Sequence, residues 1–146
     1  MTVSSLDSAY AVSTHDGRHS HVVAADGELD LDLASAAPLP GLGDGRIAPL
    51  QLFAAACAAG FQATLAQLAQ ASLADSPAAP LESAVHAQAV LYPEAGRHEL
   101  GLTLRVTLAG WPPAAAQALV ARARRLCPYL QALQTRLAIS LDIRTS

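Results

Sequence analysis

Hydrophobic and polar residues alternate with a period of two through the N-terminal third of the chain. Residues 28–33 read Glu-Leu-Asp-Leu-Asp-Leu, which predicts a half-buried strand. Its inward-facing residues are expected to be Leu29, Leu31 and Leu33. Residues 10–13 and 19–25 predict two earlier strands, joined by a turn at His15-Asp16-Gly17-Arg18. A three-stranded meander is therefore expected.

Helical spacing replaces this alternation after a loop rich in proline, glycine and alanine at residues 35–45. Pro49 is well placed to begin a helix, because its missing N–H has no partner there in any case. The apolar residues that follow at helical spacing are Leu50, Phe53, Ala54, Cys57, Phe61, Leu65 and Leu68. Alanines fill the other faces, so this helix belongs in a core or at a subunit interface. Residues 76–80 are expected to end it.

The C-terminal half predicts two strands at residues 83–92 and 97–108, with a turn at residues 93–96. Pro112 and Pro113 open a second helix, and residues 137–143 form a last strand. The buried stripe of this helix is expected to be Leu119, Val120, Ala123, Leu126 and Cys127, and its solvated face Arg122, Arg124 and Arg125. The fold class is therefore α+β, with helices against curled antiparallel sheets in a single domain over residues 1–146.

Composition narrows the function classes. The chain has 146 residues, a net charge of −3 and no lysine, which argues against a nucleic-acid footprint. We find no apolar run of about 18 residues for a membrane span and no signal peptide at the start, so we predict a soluble, cytoplasmic protein. In that compartment a cysteine pair is typical of redox or catalytic chemistry rather than of a structural disulfide.

Two cysteines, Cys57 and Cys127, are the main candidates for chemistry. An unassisted cysteine has a pKa of about 8.5 and is only about 3% thiolate at neutral pH, so an attacking thiol needs a cation nearby. Cys57 lies two turns inside its helix, and Cys127 lies at the negative end of the second helix, which disfavours a thiolate. Either the pair is redox-active with Cys127 as the resolving thiol, or both residues are small core side chains.

Other candidates carry less chemistry. Arg18 follows the first turn, where its guanidinium either holds a thiolate or is simply solvated. His15, His19 and His21 lack a third or fourth partner in a metal-binding motif, so no metal is expected. Residues 41–45 are rich in glycine but lack the lysine and hydroxyl residue of a phosphate-binding loop. No cofactor is therefore predicted.

Several segments resemble the OsmC/Ohr superfamily, the osmotically inducible protein C and organic hydroperoxide resistance proteins, and the Ohr branch most closely. The similarity runs through nearly the whole chain, and its most specific parts are the helix opening Pro49-Leu50-Gln51-Leu52-Phe53-Ala54-Ala55 and the step Cys127-Pro128-Tyr129. The remaining parts are Asp16-Gly17-Arg18, Ala25-Asp26-Gly27-Glu28-Leu29-Asp30 and Leu108-Ala109-Gly110.

The resemblance implies curled sheets around a long central helix, an intertwined homodimer with sites at the subunit interface, and a cysteine peroxidase that reduces organic hydroperoxides. It also implies that a small dithiol or a lipoylated protein returns the electrons. In this pattern a cysteine in the long helix attacks the peroxide, and the resolving cysteine of the Cys-Pro-Tyr step then forms a disulfide with it. A glutamate holds an arginine beside the thiolate. By position, the resolving cysteine is Cys127 and the arginine is Arg18.

Two positions depart from the family pattern. Gly60 stands where the attacking cysteine is expected, and Leu50 stands where the glutamate is expected. Cys57 lies three residues before Gly60, a shift of about 4.5 Å along the helix axis and about 60° around it. The resemblance places the substrate pocket at Leu50, Phe53, Gly60, Phe61 and Tyr129.

Two functional hypotheses follow. In the first, the chain is a diverged thiol peroxidase of the organic hydroperoxide resistance type, in which Cys57 attacks, Cys127 resolves and Arg18 stabilises the thiolate. In the second, loss of the cysteine and the glutamate leaves a non-catalytic member that binds a hydrophobic ligand or partner in its interfacial pocket, because residues that act as a unit fail as a unit. A third scheme, attack by Cys127 alone, is disfavoured by its place at a helix C-terminus.

Overall fold

A computed structural model of the chain describes residues 8–16, 20–33, 47–72, 82–135 and 137–146. They fall into two compact units, Met1–Leu52 and Phe53–Ser146. Several predictions lie outside the described residues: Gly17, Arg18 and His19 of the first turn, the loop at 35–45 and the helix end at 76–80. The single domain over residues 1–146 stays a prediction.

The N-terminal unit contains the predicted meander, strands β1 (Ala11–His15), β2 (Ser20–Ala24) and β3 (Asp30–Leu33), paired antiparallel in the order β1-β2-β3. A tight turn precedes β3, in which the Ala24 N–H donates to the Leu29 carbonyl at 2.8 Å. Gly27 adopts a φ of 78° in this turn, a conformation that glycine accepts readily.

This turn changes one prediction. Because β3 begins at Asp30 rather than Glu28, Leu29 belongs to the turn and is exposed, so the prediction that it faces inward is wrong. Leu33 is buried as predicted and forms an isolated bridge with Ile47.

The C-terminal unit contains β4 (Ser83–Glu94), β5 (Arg97–Leu108) and β6 (Ala138–Arg144). β4 and β5 form the predicted antiparallel hairpin, but β6 pairs parallel to β5, which departs from the expectation of antiparallel sheets. The chain crosses between β5 and β6 through helices, so the last strand returns in the same direction as β5. Arg105 and Asp142 face each other in this register and form an ion pair at 3.2 Å.

Three helices occur in the described residues: α1 (Pro49–Ser72), α2 (Pro113–Leu126) and α3 (Pro128–Leu133). The sequence predicted a break at Pro128 but not the short helix that begins there. Leu126 is exposed rather than part of the buried stripe, so that prediction is wrong, whereas the solvated arginine face of α2 is confirmed.

Among the described residues, only α1 is long and apolar enough to cross a membrane when judged by length and composition. The sequence contains no uninterrupted apolar run of this length, because glutamines such as Gln62 and Gln67 interrupt α1. Core helices pass the same test, so this finding does not assign α1 to a membrane. Within the C-terminal unit α1 buries Cys57, Phe61, Leu65, Leu68 and Ala69.

The core of the C-terminal unit is built from one face of β5 and the inward stripes of α1, α2 and α3. From Leu102 to Leu108 every second residue of β5 is buried, as the alternation in the sequence predicts. The buried β5 side chains are Leu102, Leu104, Val106 and Leu108, and those of α2 include Leu119, Val120 and Ala123. Both cysteines belong to this same core.

Candidate functional site

Cys57 and Cys127 reach the same buried cluster from different elements. Cys57 lies in α1 and is 3% exposed, while Cys127 lies between α2 and α3 and is fully buried. Both are free thiols. The structure thus brings together the two cysteines that the sequence singled out, within one apolar environment.

The environment of Cys57 disfavours its thiolate. Burial raises the pKa of the Cys57 thiol above its ordinary value, because a charged sulfur loses its hydration inside the apolar core. The neighbouring Cys127 raises the pKa of Cys57 further by electrostatic repulsion. Cys57 is therefore mainly a neutral thiol at pH 7 unless a cation approaches it.

Cys127 occupies a junction between two helices. Its N–H donates to the Ala123 carbonyl at 2.8 Å and closes the last turn of α2, while its own carbonyl accepts the Gln131 N–H at 3.0 Å and opens α3. The sequence pattern predicts only the negative end of α2 at this residue. The positive end of α3 begins at the same residue, so the two helix dipoles oppose each other there.

Tyr129 fills the place of the side chain that Gly60 lacks. A Cβ atom at position 60 would lie 2.5 Å from Cε2 and 3.1 Å from Cγ of the Tyr129 ring, and closer still to Cδ2. Carbon atoms in contact normally stay about 3.5–4.0 Å apart. The volume left by the missing cysteine of the family pattern is thus closed by a neighbouring ring.

The other predicted pocket residues take different positions. Phe61 is fully buried, and Phe53 is partly buried against the same core. Leu50 lies in the first turn of α1, in the N-terminal unit, and is partly buried. Beside it, the Gln51 Oε1 accepts the Ala48 N–H at 2.7 Å and caps the helix start.

Arg18, the arginine that the family resemblance assigns to the site, is among the residues that the structure does not describe. Within the described part of the chain, no polar or charged side chain is buried, so no described arginine lies in the core that contains the two thiols. The same part of the chain holds no cluster of histidine, cysteine and acidic residues suited to a metal.

One charged constellation was not predicted from the sequence. His21 lies across β2 and β3 from two carboxylates, with Nε2 at 2.8 Å from Asp30 and Nδ1 at 2.8 Å from Asp32. Its hydrogen bond to Asp32 is the main cause that raises the pKa of His21. The Glu-Leu-Asp-Leu-Asp-Leu alternation places both aspartates on one face, but their histidine partner depends on the strand register.

Comparisons with known proteins agree with the family resemblance and with the fold. The family model described as OsmC-like protein matches residues 41–142. An organic hydroperoxide resistance protein of Xanthomonas axonopodis pv. citri is 30% identical over 138 residues, which cover 94% of this chain and 94% of that protein.

Solved structures show the same fold. The crystal structure of an organic hydroperoxide resistance protein OsmC from Legionella pneumophila has a TM-score of 0.81 and 34% identity, covering 97% of this chain and 99% of that one. The OhrB protein of Bacillus subtilis gives a TM-score of 0.80 and 28% identity, covering 96% and 100%. The α+β fold of the OsmC/Ohr type is thus confirmed, and the chain belongs to the OsmC-like protein family.

Proposed function

We propose that this chain protects against organic hydroperoxides as a diverged thiol peroxidase, in which Cys57 attacks the peroxide and Cys127 resolves. The observation that carries the proposal is that both thiols lie in one buried cluster. The names of the relatives, organic hydroperoxide resistance proteins that match over nearly the whole chain, support a role in organic hydroperoxide resistance.

The reaction can be written with these residues alone and an external dithiol. The Cys57 thiolate attacks one peroxide oxygen, the O–O bond breaks, and the alkoxide takes a proton and leaves as the alcohol. Cys57 is then a sulfenic acid. The Cys127 thiol attacks that sulfur, so that a disulfide forms and water leaves. A small dithiol or a lipoyl group on a partner protein reduces the disulfide by thiol exchange.

Because the pKa of Cys57 is raised, this mechanism also requires a group that stabilises the Cys57 thiolate. A thiol in an apolar core reacts slowly unless a positive charge stabilises its thiolate. The family pattern assigns that role to Arg18, and its approach to Cys57 remains a prediction of this proposal. Leu50 stands at the position of the glutamate that holds the arginine in the family pattern. Arg18 therefore either pairs with a different acidic residue or acts without an acidic partner.

Hydroperoxide consumption tests the proposal. With tert-butyl hydroperoxide and dithiothreitol, the wild type is expected to consume peroxide and the Cys57→Ser variant is not. Ala58→Ser serves as the matched control, because it adds the same hydroxyl to the next residue of α1 and should leave the rate unchanged. Absence of consumption by the wild type, or an unchanged rate in Cys57→Ser, would contradict the proposal.

A second candidate function has its own observation. The family position of the attacking cysteine is Gly60, and the Tyr129 ring occupies its side-chain volume. This arrangement favours a non-catalytic member that binds a hydrophobic ligand or partner. Peroxide consumption that disappears in Cys57→Ser at unchanged thermal stability would exclude it.

We further propose that the chain forms a homodimer and works in the cytoplasm. α1 carries exposed apolar positions in the isolated chain, namely Ala55, Ala56, Ala59 and Ala63. No charged residue interrupts this helix, so its exposed apolar face is suited to packing against a second copy of the chain. Sedimentation velocity is expected to give the mass of two chains, and a monomer at micromolar concentration would contradict the dimer.

A further inference from the structure

The Tyr129 ring and Gly60 form a close-fitting pair beside the thiols. Gly60 follows Cys57 by three residues, nearly one helical turn, and Tyr129 follows Cys127 by two residues. The ring lies so close to the Gly60 backbone that even a methyl group at this position would overlap it. The contact therefore joins the segment after one cysteine to the segment after the other.

The solvent exposure of Tyr129 differs sharply from that of the two cysteines. Tyr129 is 52% exposed, whereas Cys57 and Cys127 are 3% and 0% exposed. The ring is thus half exposed, outside the buried core cluster, and lies against α1 at Gly60, nearly one helical turn from Cys57. A half-exposed side chain changes rotamer more readily than a buried one, because fewer of its neighbours must move.

We propose that the Tyr129 ring controls access to the Cys57 and Cys127 thiols by covering them. It does so when it packs in the space above Gly60, which we call its seat. When the ring leaves this seat, the surface above Gly60 opens beside the cysteines, and a reactant reaches a thiol that is otherwise sealed. The proposal rests on the proposed function only for the identity of the natural reactant. The cover itself concerns access to sulfur by any reagent.

Alkylation measures this access without peroxide. A thiolate displaces iodide from iodoacetamide, so that a C–S bond forms, the C–I bond breaks, and the thiol proton is released to buffer. The rate at Cys57 is read from the modified peptide by mass spectrometry after quenching. In Tyr129→Ala we expect the rate at Cys57 to rise by about tenfold or more, because exposure governs the reactivity of a thiol.

The chain offers a matched control. Tyr92 also lies against a glycine, with its Cε2 at 3.0 Å from a Cβ placed on Gly101, and its exposure of 55% is close to that of Tyr129. Tyr92→Ala removes the same ring far along the β4–β5 hairpin and should leave the alkylation rate within about twofold of wild type, since no thiol shares its surroundings. Tyr129→Phe keeps the ring and should also keep the slow rate.

Two glycine substitutions complement the tyrosine variants, one at the glycine that each ring contacts. Gly60→Ala displaces the Tyr129 ring and should accelerate alkylation of Cys57, whereas Gly101→Ala should not. Wild-type rates in both Tyr129→Ala and Gly60→Ala would overturn the proposal. Equal acceleration in Tyr92→Ala would also overturn it, because the effect would then be general loosening. If alkylation behaves as expected but no hydroperoxide is consumed, the cover stands and the peroxidase proposal fails.

Discussion

Cys57 of α1 and Cys127 of the α2–α3 junction lie in one buried cluster, where burial, and then the neighbouring Cys127, raises the pKa of Cys57. Two thiols in one apolar core suit a pair in which Cys57 attacks and Cys127 then forms a disulfide with it. This arrangement also suits two inert core residues, and the reactivity of Cys57 distinguishes the two cases.

The reactivity of Cys57 should increase with pH into the alkaline range. Because burial and Cys127 raise its pKa, the thiolate fraction at neutral pH is small and grows about tenfold per pH unit until the raised pKa is reached. Alkylation of Cys57 between pH 6 and pH 10 checks this. In Cys127→Ser the profile should move to lower pH, since one cause of the shift is gone. A plateau near pH 7 in the wild type would instead show a cation at the thiolate.

The same pKa shift predicts a loss of stability at high pH. In the unfolded chain Cys57 ionises at its ordinary pKa, whereas in the fold it holds its proton to higher pH. Its contribution to stability is therefore complete below the unfolded pKa and is lost as pH rises through the folded pKa. Urea unfolding at pH 8 and pH 10 should show a smaller decline for Cys57→Ala than for the wild type. Equal declines would contradict the shift.

Gly60 and Tyr129 should be energetically coupled. Gly60→Ala alone is expected to lower the free energy of unfolding by about 1–3 kcal/mol, because the added methyl group overlaps the ring. In a Tyr129→Ala background the same change should raise it by up to ~1 kcal/mol, since alanine is the better helix former. A double-mutant cycle by urea unfolding measures the change of sign. Additive effects would show that the ring does not occupy this space.

The β4–β5 hairpin carries a strained turn residue. Ala95 has a φ of 42° and Gly96 a φ of 83°, so both central residues of the turn are in the left-handed region. Ala95→Asn should raise the free energy of unfolding by about 0.5–1 kcal/mol, because asparagine tolerates this conformation better than alanine. As a control, Ala84→Asn in β4 should lower stability, since asparagine is disfavoured within strands. Stabilisation by both changes would contradict the explanation.

Protonated His21 should stabilise the N-terminal sheet. Its bonds to Asp32 and Asp30 raise its pKa above the ordinary 6.5, so its contribution is complete below the unfolded pKa and is lost as pH rises through the folded value. The difference in melting temperature between wild type and His21→Gln should therefore be largest near pH 5.5 and should shrink toward pH 9. A difference that does not change with pH would contradict this assignment.

The sequence predicted those elements whose pattern is local. The alternation from Arg97 to Leu108 matches the bounds of β5, and Pro49 begins α1 as expected. The parallel pairing of β6 was not predicted, since alternation shows which face is buried but not which strand is the partner. Leu126 was predicted in the buried stripe of α2, but the buried side chain at this end of the helix is Cys127, and Leu126 is exposed.

The candidate site was predicted only in part for the same reason. The two cysteines and their helices follow from local pattern and family resemblance. The seat of Tyr129 above Gly60 is a tertiary contact between α1 and α3, and nothing in the neighbouring residues of either element signals it. Its only trace in the sequence is a glycine inside a helix, where alanine would otherwise be favoured.

The most direct test of the central claim is the redox state of the two cysteines after one equivalent of tert-butyl hydroperoxide is added to the reduced protein. Peptide mapping without reduction is expected to give a single Cys57–Cys127 disulfide, with the loss of two free thiols per chain and one equivalent of alcohol. Two free thiols and unconsumed hydroperoxide would contradict the assignment of this pair as a peroxidase centre.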